Sequence, residues 1–271
     1  MATKVDMGAI LAAKDADLES LNNVIERLGI ERLPVKIAYN PEDPAAVIYT
    51  NKKKALFEKY GFECKLVDSF AWFESNCSTM VQLPMEDSQN LIKKISPRFD
   101  IDGLTEANVY KLFTNNGKGF LPATVASIDY IATHELGDLR GKRALIVGKS
   151  TIVGKPLALH WLNKGVSISI CGRDEPFLKD LINNVDIVVL ATPVASLLNS
   201  DDLSPTCGAF IIDAGICKDA EGKVVGNFKD IQGTYSEVLY TPVPGGVGPL
   251  TVRCLVENHM IACIRNQSYI E

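Results

Sequence analysis

Residues 143–156 read RALIVGKSTIVGKP, and the rest of the chain arranges itself around that stretch. Arg143–Val147 is apolar after its first residue and predicts a buried strand, while Lys155–Asn163 predicts a helix. In the turn between them, Gly148 and Gly154 remove side-chain bulk, Ser150 is small, and Lys149 and Lys155 bring positive charge. A strand leading through such a turn into a helix N-terminus is a ready phosphate site: backbone N–H groups face the anion and the helix dipole favours its charge. The regular GxGxxG spacing is absent, so a tight strand-to-helix connection with no ligand explains the turn nearly as well.

Downstream, strands are expected at Val166–Cys171, Asp186–Ala191 and Phe210–Asp213, with helical residues around Pro176–Asn183. Right-handed crossovers close that βαβαβ order into a Rossmann-like parallel sheet. Upstream, strands at Val35–Tyr39, Phe62–Val67 and Met80–Leu83 alternate with helices from Asp43-Pro44 to about Tyr60 and over Asp87–Ile95. Pro44 suits the first helical position and Gly61 ends that helix. Thr124–Leu136 reads as a connecting helix capped by Thr124 and stopped by Gly137. Thr251–Arg265 is helical again after the Pro/Gly-rich run Pro242–Pro249. The expected fold is α/β: an N-terminal α/β catalytic lobe and a Rossmann-like nucleotide-binding lobe with a cleft between them. Residues 1–121, completed by the C-terminal helix 252–271, form the first; residues 122–251 form the second.

Of the 271 residues, 46% are hydrophobic and 23% charged, a globular balance. A net charge of -5 and a pI near 5.4 exclude broad binding to nucleic acid or anionic membranes, so an anionic ligand must be held by local cations. No apolar run reaches the roughly 18 residues of a membrane span. The first twenty residues, MATKVDMGAILAAKDADLES, fit neither a secretory signal nor a transit peptide. Seven cysteines without a CxxC motif read as reduced core thiols. A cytoplasmic protein is expected. His134-Glu135 lacks the second histidine of HExxH and His160 and His259 stand apart, so no metal is expected. Trp72 and Trp161 read as packing residues, Trp72 in a surface loop.

The end of the second predicted strand of the nucleotide lobe reads Cys171-Gly172-Arg173-Asp174. An acid at that place accepts from a ribose 2′-hydroxyl, whereas an arginine favours a 2′-phosphate. Arg173 therefore favours NADP, and Asp174 keeps NAD open.

The GKSTIVGKP turn at 148–156, together with TPVPGGVGPLT at 241–251, closely resembles the bifunctional methylenetetrahydrofolate dehydrogenase/cyclohydrolase family, the second motif being the more diagnostic. The resemblance extends over nearly the whole chain. It includes Ile212-Asp213-Ala214-Gly215-Ile216, Gly222-Lys223-Val224-Val225-Gly226, Asp43-Pro44-Ala45, Val81-Gln82-Leu83-Pro84 and Asp100-Ile101-Asp102-Gly103. It implies oxidation of 5,10-methylene-tetrahydrofolate to the methenyl form with NADP, then hydrolysis to 10-formyl-tetrahydrofolate. A homodimer in one-carbon metabolism, feeding purine biosynthesis, is implied with it.

The resemblance also implies the site. Hydrolysis needs a group that accepts a proton from water and later returns one, and a desolvated lysine can do both. The family pattern selects Lys53 for this role. Tyr49, four residues earlier on the same helix face, would position the pterin and the lysine. Gln82 would hydrogen-bond the lysine and hold it neutral, and Asp102 would bind the guanidine-like edge of the pterin. By charge pattern alone, Lys52-Lys53-Lys54 reads as a solvated basic face and Asp102-Gly103 as an ordinary turn. Leu83, Pro244, Gly245 and Gly246 complete the implied substrate set. The implied cofactor set is Gly148, Lys149, Ser150, Ile152, Val153, Arg173, Thr192, Pro193, Gly215, Ile216, Gly248 and Thr251.

Several positions depart from the family pattern, Phe228 for a valine among them. Pro122-Ala123-Thr124-Val125 stands for Pro-Cys-Thr-Pro, and Phe99 for a lysine. Lys149 stands for an arginine, Asn227 for an aspartate and Ala46 for a serine. None removes Tyr49, Lys53, Gln82 or Asp102. A dehydrogenase lacking the hydrolase is the nearer rival reading, against which Lys53 and Gln82 speak. A silent nucleotide- or folate-binding protein is the more distant one, and it would bind without turnover.

Overall fold

The computed structural model describes residues 2–68, 76–117, 119–231 and 238–267, so Trp72 lies outside the described residues. The chain divides into two compact units, Met1–Leu11 with Thr124–Leu250, and Ala12–Ala123 with Thr251–Glu271. The sequence reading gave residues 1–121 to one lobe; here the first eleven go with the other, because Thr3–Lys4 pairs in parallel with Leu239–Tyr240.

The first unit holds a six-stranded, wholly parallel sheet. In spatial order its strands are Thr3–Lys4, Leu239–Tyr240, Phe210–Asp213, Ile187–Leu190, Arg143–Val147 and Ser167–Cys171. Ile187–Leu190 and Phe210–Asp213 are buried at every residue, as Arg143–Val147 is after its first, which is why these strands read as unbroken apolar runs. On one face Leu145, Val147, Val188, Leu190 and Ile211 pack with Leu178 and Ile182. Parallel order places every strand's C-terminal end along the same edge, where open α/β sheets bind ligands.

The second unit centres on a three-stranded parallel sheet, Cys64–Val67, Val35–Ala38 and Ser78–Val81, with Val35–Ala38 in the middle. Helix Pro44–Lys59 follows the middle strand; Asp43 caps it by accepting from Ala45 N at 2.9 Å, with Pro44 in the first turn. The strand expected at Met80–Leu83 lies instead at Ser78–Val81. Polar Ser78 and Thr79 look like loop residues but are buried, Ser78 Oγ lying 2.8 Å from His259 Nδ1. That partner is 181 positions away and no local pattern reports it.

Other boundaries shift for local reasons. The connecting helix begins at Ala123, so Thr124 is a first-turn residue and not the cap. The last helix spans Val247–Gln267, four residues earlier than expected, since Pro249 in its first turn needs no N–H partner. Helices Met7–Arg27 and Glu106–Phe113 have no counterpart in the sequence reading.

All seven cysteines are buried thiols. Trp161 is fully buried, its Nε1 donating to Asp129 Oδ1 at 2.9 Å. Among the described residues, no group of three or more His, Cys, Asp or Glu side chains is placed to hold a metal ion. No helix among them is long and apolar enough to cross a membrane.

Candidate active site

Helix Pro44–Lys59 buries a stripe of Ala46, Thr50, Lys53 and Phe57, spaced as one helix face requires. Of the three adjacent lysines only Lys53 is on it. Lys52 is exposed, and Lys54 reaches Glu58 at 3.6 Å on the outside. The basic-face explanation thus fits Lys52 and Lys54, and fails for Lys53. Tyr49 is half-buried one turn before Lys53, with the Lys52 ammonium 5.9 Å from its ring centre.

Lys53 Nζ donates to Gln82 Oε1. Gln82 is the first residue past strand Ser78–Val81, and its N–H donates to Ala38 O at 2.7 Å, extending the ladder by one bond. Its side-chain Nε2 donates to Leu83 O at 2.8 Å, which fixes the amide with oxygen toward the lysine. Leu83 itself packs on Ala38, Val81, Leu91 and Ile95.

Asp102 sits in a turn whose geometry only glycine at 103 allows. Gly103 has φ +67°, and a methyl group there would lie 2.6 Å from Phe120 O. Asn258 Nδ2, from the last helix, donates to Ile101 O at 2.8 Å and Leu121 O at 3.1 Å, tying the turn to the segment that precedes Ala123. Asp100 accepts from Thr105 N at 2.7 Å and Asn108 Nδ2 at 2.9 Å, anchoring the far side. The Ala123 N–H, at the start of a helix, donates to Asp102.

Burial lowers the Lys53 pKa, with the Asp102 charge opposing the shift. Burial raises Asp102 to about 7; Lys53 lowers it, Asp100 raises it and the Ala123 N–H lowers it. Two groups that ordinarily titrate far apart are drawn toward neutrality, the condition for moving a proton either way. Phe99, where the family carries lysine, is buried, with the Arg98 guanidinium 5.6 Å from its ring.

The implied cofactor residues other than Gly248 and Thr251 form a second group, in the other unit, on the loops that follow four strands at the C-terminal edge of the six-stranded sheet. Gly148 has φ +131° and a methyl group there would overlap Ala191 O; one at Gly154 would overlap Gly148 O. Ser150 Oγ accepts from Val153 N at 3.1 Å and Gly154 N at 3.3 Å, and Ser150 O from Lys155 N at 3.0 Å. The first-turn N–H groups expected to face a phosphate are therefore already engaged. Those of Lys149, Ser150, Thr151 and Ile152 have no partner among the described residues and are the donors left for an anion.

Lys149 extends toward the end of the next strand, its Nζ 3.5 Å from where a Gly172 methyl group would stand. Exposed Arg173 follows Gly172, its Nε 3.5 Å from Asp174 Oδ1, so Lys149 and Arg173 both stand near the end of that strand. Ile152 and Ile216 are 38% and 54% exposed, an apolar pair on the rim suited to flat rings. Thr192 is buried and Pro193 exposed; Gly215 is buried beneath Ile216 in chain order. This combination of uncommitted N–H groups, paired cations and exposed isoleucines fits a dinucleotide.

Pro244 and Gly245 are exposed and Gly246 buried, and all three belong to this unit, apart from Tyr49, Lys53, Gln82 and Asp102. Gly248 lies in it as well, in the first turn of the last helix, whereas Thr251 falls in the unit that carries Lys53. His259 is structural: it is fully buried against Phe57 and Phe62, and burial drives its pKa down to about 3.

Sequence reasoning singled out no role for Asn258, Asp100 or Asn227. Each is a buried polar residue; the partners of Asn258 and Asn227 are distant in the chain, those of Asp100 five and eight residues on, and the available signal was only a polar letter within an apolar stretch.

Comparison with known proteins places these two constellations in context. Residues 122–267 match the family described as tetrahydrofolate dehydrogenase/cyclohydrolase, NAD(P)-binding domain. A protein of Lactobacillus delbrueckii subsp. bulgaricus named bifunctional protein FolD is 39% identical over 235 residues, covering 80% of this chain and 81% of its own. One of the same name from Sphingobium chlorophenolicum is 35% identical over 246 residues, covering 83% and 77%. Among solved structures, the Campylobacter jejuni bifunctional enzyme FolD, a methylenetetrahydrofolate dehydrogenase/cyclohydrolase, superposes with a TM-score of 0.87 at 28% identity, covering 98% of this chain and 100% of that one.

Proposed function

Because this chain belongs to the tetrahydrofolate dehydrogenase/cyclohydrolase family, we propose that it oxidises 5,10-methylene-tetrahydrofolate to the methenyl form and hydrolyses that product to 10-formyl-tetrahydrofolate, with NADP as hydride acceptor. The observation that carries the hydrolytic half is the buried Lys53 amine, held on Gln82 within the field of Asp102. A family member without the hydrolase would have no use for a lysine so costly to bury.

In hydrolysis, neutral Lys53 accepts a proton from the water that attacks the methenyl carbon. The same ammonium then returns that proton to the pterin nitrogen as the carbon–nitrogen bond opens, and the hydroxyl proton of the adduct leaves to solvent as the formyl C=O forms. Gln82 Oε1 fixes the amine, and Tyr49 flanks it for the pterin. Asp102, titrating near 7, takes the two-point contact with the pterin's guanidine-like edge in its ionised form.

When bound, the dinucleotide accepts the hydride; no side chain has to move a proton in that step. The chain supplies placement. Lys149–Ile152 N–H groups meet the phosphates and Ile152 and Ile216 cover flat rings. Lys149 and Arg173 together favour a 2′-phosphate, hence NADP over NAD. The finer setting is cytoplasmic one-carbon metabolism, supplying purine biosynthesis, with a homodimer as the working form. Edge strand Ser167–Cys171, with Ile170 39% exposed, supports such pairing.

The experiment is a spectrophotometric assay with methylene-tetrahydrofolate and NADP or NAD, following reduced cofactor, methenyl formation and decay of added methenyl substrate. Reduction with accelerated decay is expected, faster with NADP. Decay at the uncatalysed rate would leave a dehydrogenase alone, and silence with ligand bound would leave a binding protein.

A further inference from the structure

Strands Ile187–Leu190 and Phe210–Asp213 are neighbours in the sheet, Leu190 opposite Asp213, so their following loops leave the same edge side by side. Those loops carry Thr192-Pro193 and Gly215-Ile216. Asn227, fully buried, joins them from a third segment. Its Oδ1 accepts from Thr192 N at 2.9 Å, and its Nδ2 donates to Thr192 O at 3.0 Å and Val194 O at 2.6 Å. The same amide lies 3.5 Å from Cys217 Sγ. Every hydrogen of the Asn227 amide is thus committed to one of the two loops.

Asp213 completes the connection. Its carboxylate accepts from Gly215 N at 2.9 Å and Phe228 N at 2.8 Å, and from the Asn227 N–H. The Asn227 segment is itself fixed: Leu198 N donates to Asn227 O at 3.0 Å, and Phe228 pairs with Leu198 in a short parallel ladder. The approach is so close that a methyl group on Gly215 would overlap the Asn227 amide, and one on Gly226 would overlap the Asp213 carboxylate. Three segments with little regular structure of their own become one hydrogen-bonded body, with Pro193 and Ile216 exposed on its outer side.

We propose that Asn227 is a positioning residue for hydride transfer: its buried amide sets the spacing of the 192–194 and 215–217 loops that receive the nicotinamide dinucleotide. This rests on the dehydrogenase reading above. In this chain an amide stands where the family pattern carries an aspartate, and the partners around it use both of its functions. Thr192 O and Val194 O both need a donor while Thr192 N needs an acceptor, and only a side chain with both functions answers all three. A carboxylate of equal size keeps the acceptor and turns two carbonyls against a negative oxygen. Released, the loops lose their common spacing, and dinucleotide affinity falls with no change in any residue that touches it.

The test compares Asn227→Asp and Asn227→Ala with the natural chain, measuring dehydrogenase kcat and both KM values, cyclohydrolase kcat/KM on methenyl-tetrahydrofolate, and thermal unfolding. Both variants should raise KM for NADP about tenfold or more, the cost of stranding buried backbone carbonyls. KM for methylene-tetrahydrofolate and the cyclohydrolase, whose Lys53 lies in the other unit, should stay within about twofold. A purely structural role would instead lower both activities together, by loss of active protein, with KM for NADP unchanged; that result overturns the proposal. So would an unchanged KM in a well-folded Asn227→Asp, or failure of both variants to fold. If the natural chain reduces no dinucleotide, the dehydrogenase reading itself falls, a result visible before any variant is made.

Discussion

The Lys53 cluster and the Gly148–Gly154 turn solve opposite problems. Around Lys53 the protein removes water from charged side chains and lets burial alter their proton affinity. Around the turn it removes side chains and presents backbone, with Gly148 and Gly154 leaving no room for a methyl group. One site works through the chemistry of three or four side chains; the other through the shape of the main chain and charges at its rim. The difference teaches where each is vulnerable. A conservative side-chain change should cripple the first and spare the second, and a single added methyl group should do the reverse.

The largest effect belongs to Lys53. Lys53→Ser should reduce methenyl hydrolysis at least about 1,000-fold, the scale of a lost general acid–base group, while hydride transfer stays within about tenfold. Parallel assays of the two steps check it, and hydrolysis at the natural rate would break the comparison at its first term.

Next comes the turn. Gly154→Ala forces a methyl group into Gly148 O and should cost about 2–3 kcal/mol of stability in denaturant unfolding. At temperatures where the variant remains folded, KM for NADP should rise while cyclohydrolase activity per folded molecule holds. A variant with unaltered stability and KM would mean that the close contact can relax.

A smaller effect separates function from stability at Asp102. Its pKa is raised from 3.8 to about 7, so the ionised form is disfavoured in the folded state. Below about pH 4 folded and unfolded chains both carry a neutral carboxyl and no penalty exists; it grows through pH 4–7 and is complete above 7. Asp102→Asn should therefore raise Tm at pH 8, by roughly 2–4 °C, and leave it unchanged near pH 4. Folate KM should rise in the same variant. A Tm gain equal at both pH values would remove ionisation as its cause.

The smallest effect sharpens the contrast within one helix. Lys52→Ala and Lys54→Ala, on the solvent side, should change either activity by less than about twofold and stability by less than about 0.5 kcal/mol.

These residues also mark the limits of reading from sequence. The glycine-rich strand-to-helix turn was legible because its demands are local: a glycine with positive φ, a small residue and a helix start are neighbours in the chain. The parallel sheet was legible for the same reason, since strands such as Ile187–Leu190 and Phe210–Asp213 are buried on both faces and read as apolar runs. Lys53 was legible only by resemblance, because a triple lysine reads as a surface until something shows which member is buried.

Ser78 as a strand residue and the anchors Asn258 and Asn227 were not legible at all. Each is polar, and each is acceptable inside only because a partner arrives from far along the chain: His259 for Ser78, the carbonyls of Ile101 and Leu121 for Asn258, Thr192 and Val194 for Asn227. By itself the sequence determined the alternation of strands and helices, the two-part α/β plan, the glycine-rich turn and the family motifs, all carried by neighbouring residues. Tertiary structure alone decided which lysine is desolvated, which N–H groups remain for a phosphate and which polar side chains tie the loops together. Burial and hydrogen-bond satisfaction depend on the whole surrounding volume, and a linear chain does not contain that volume until it folds.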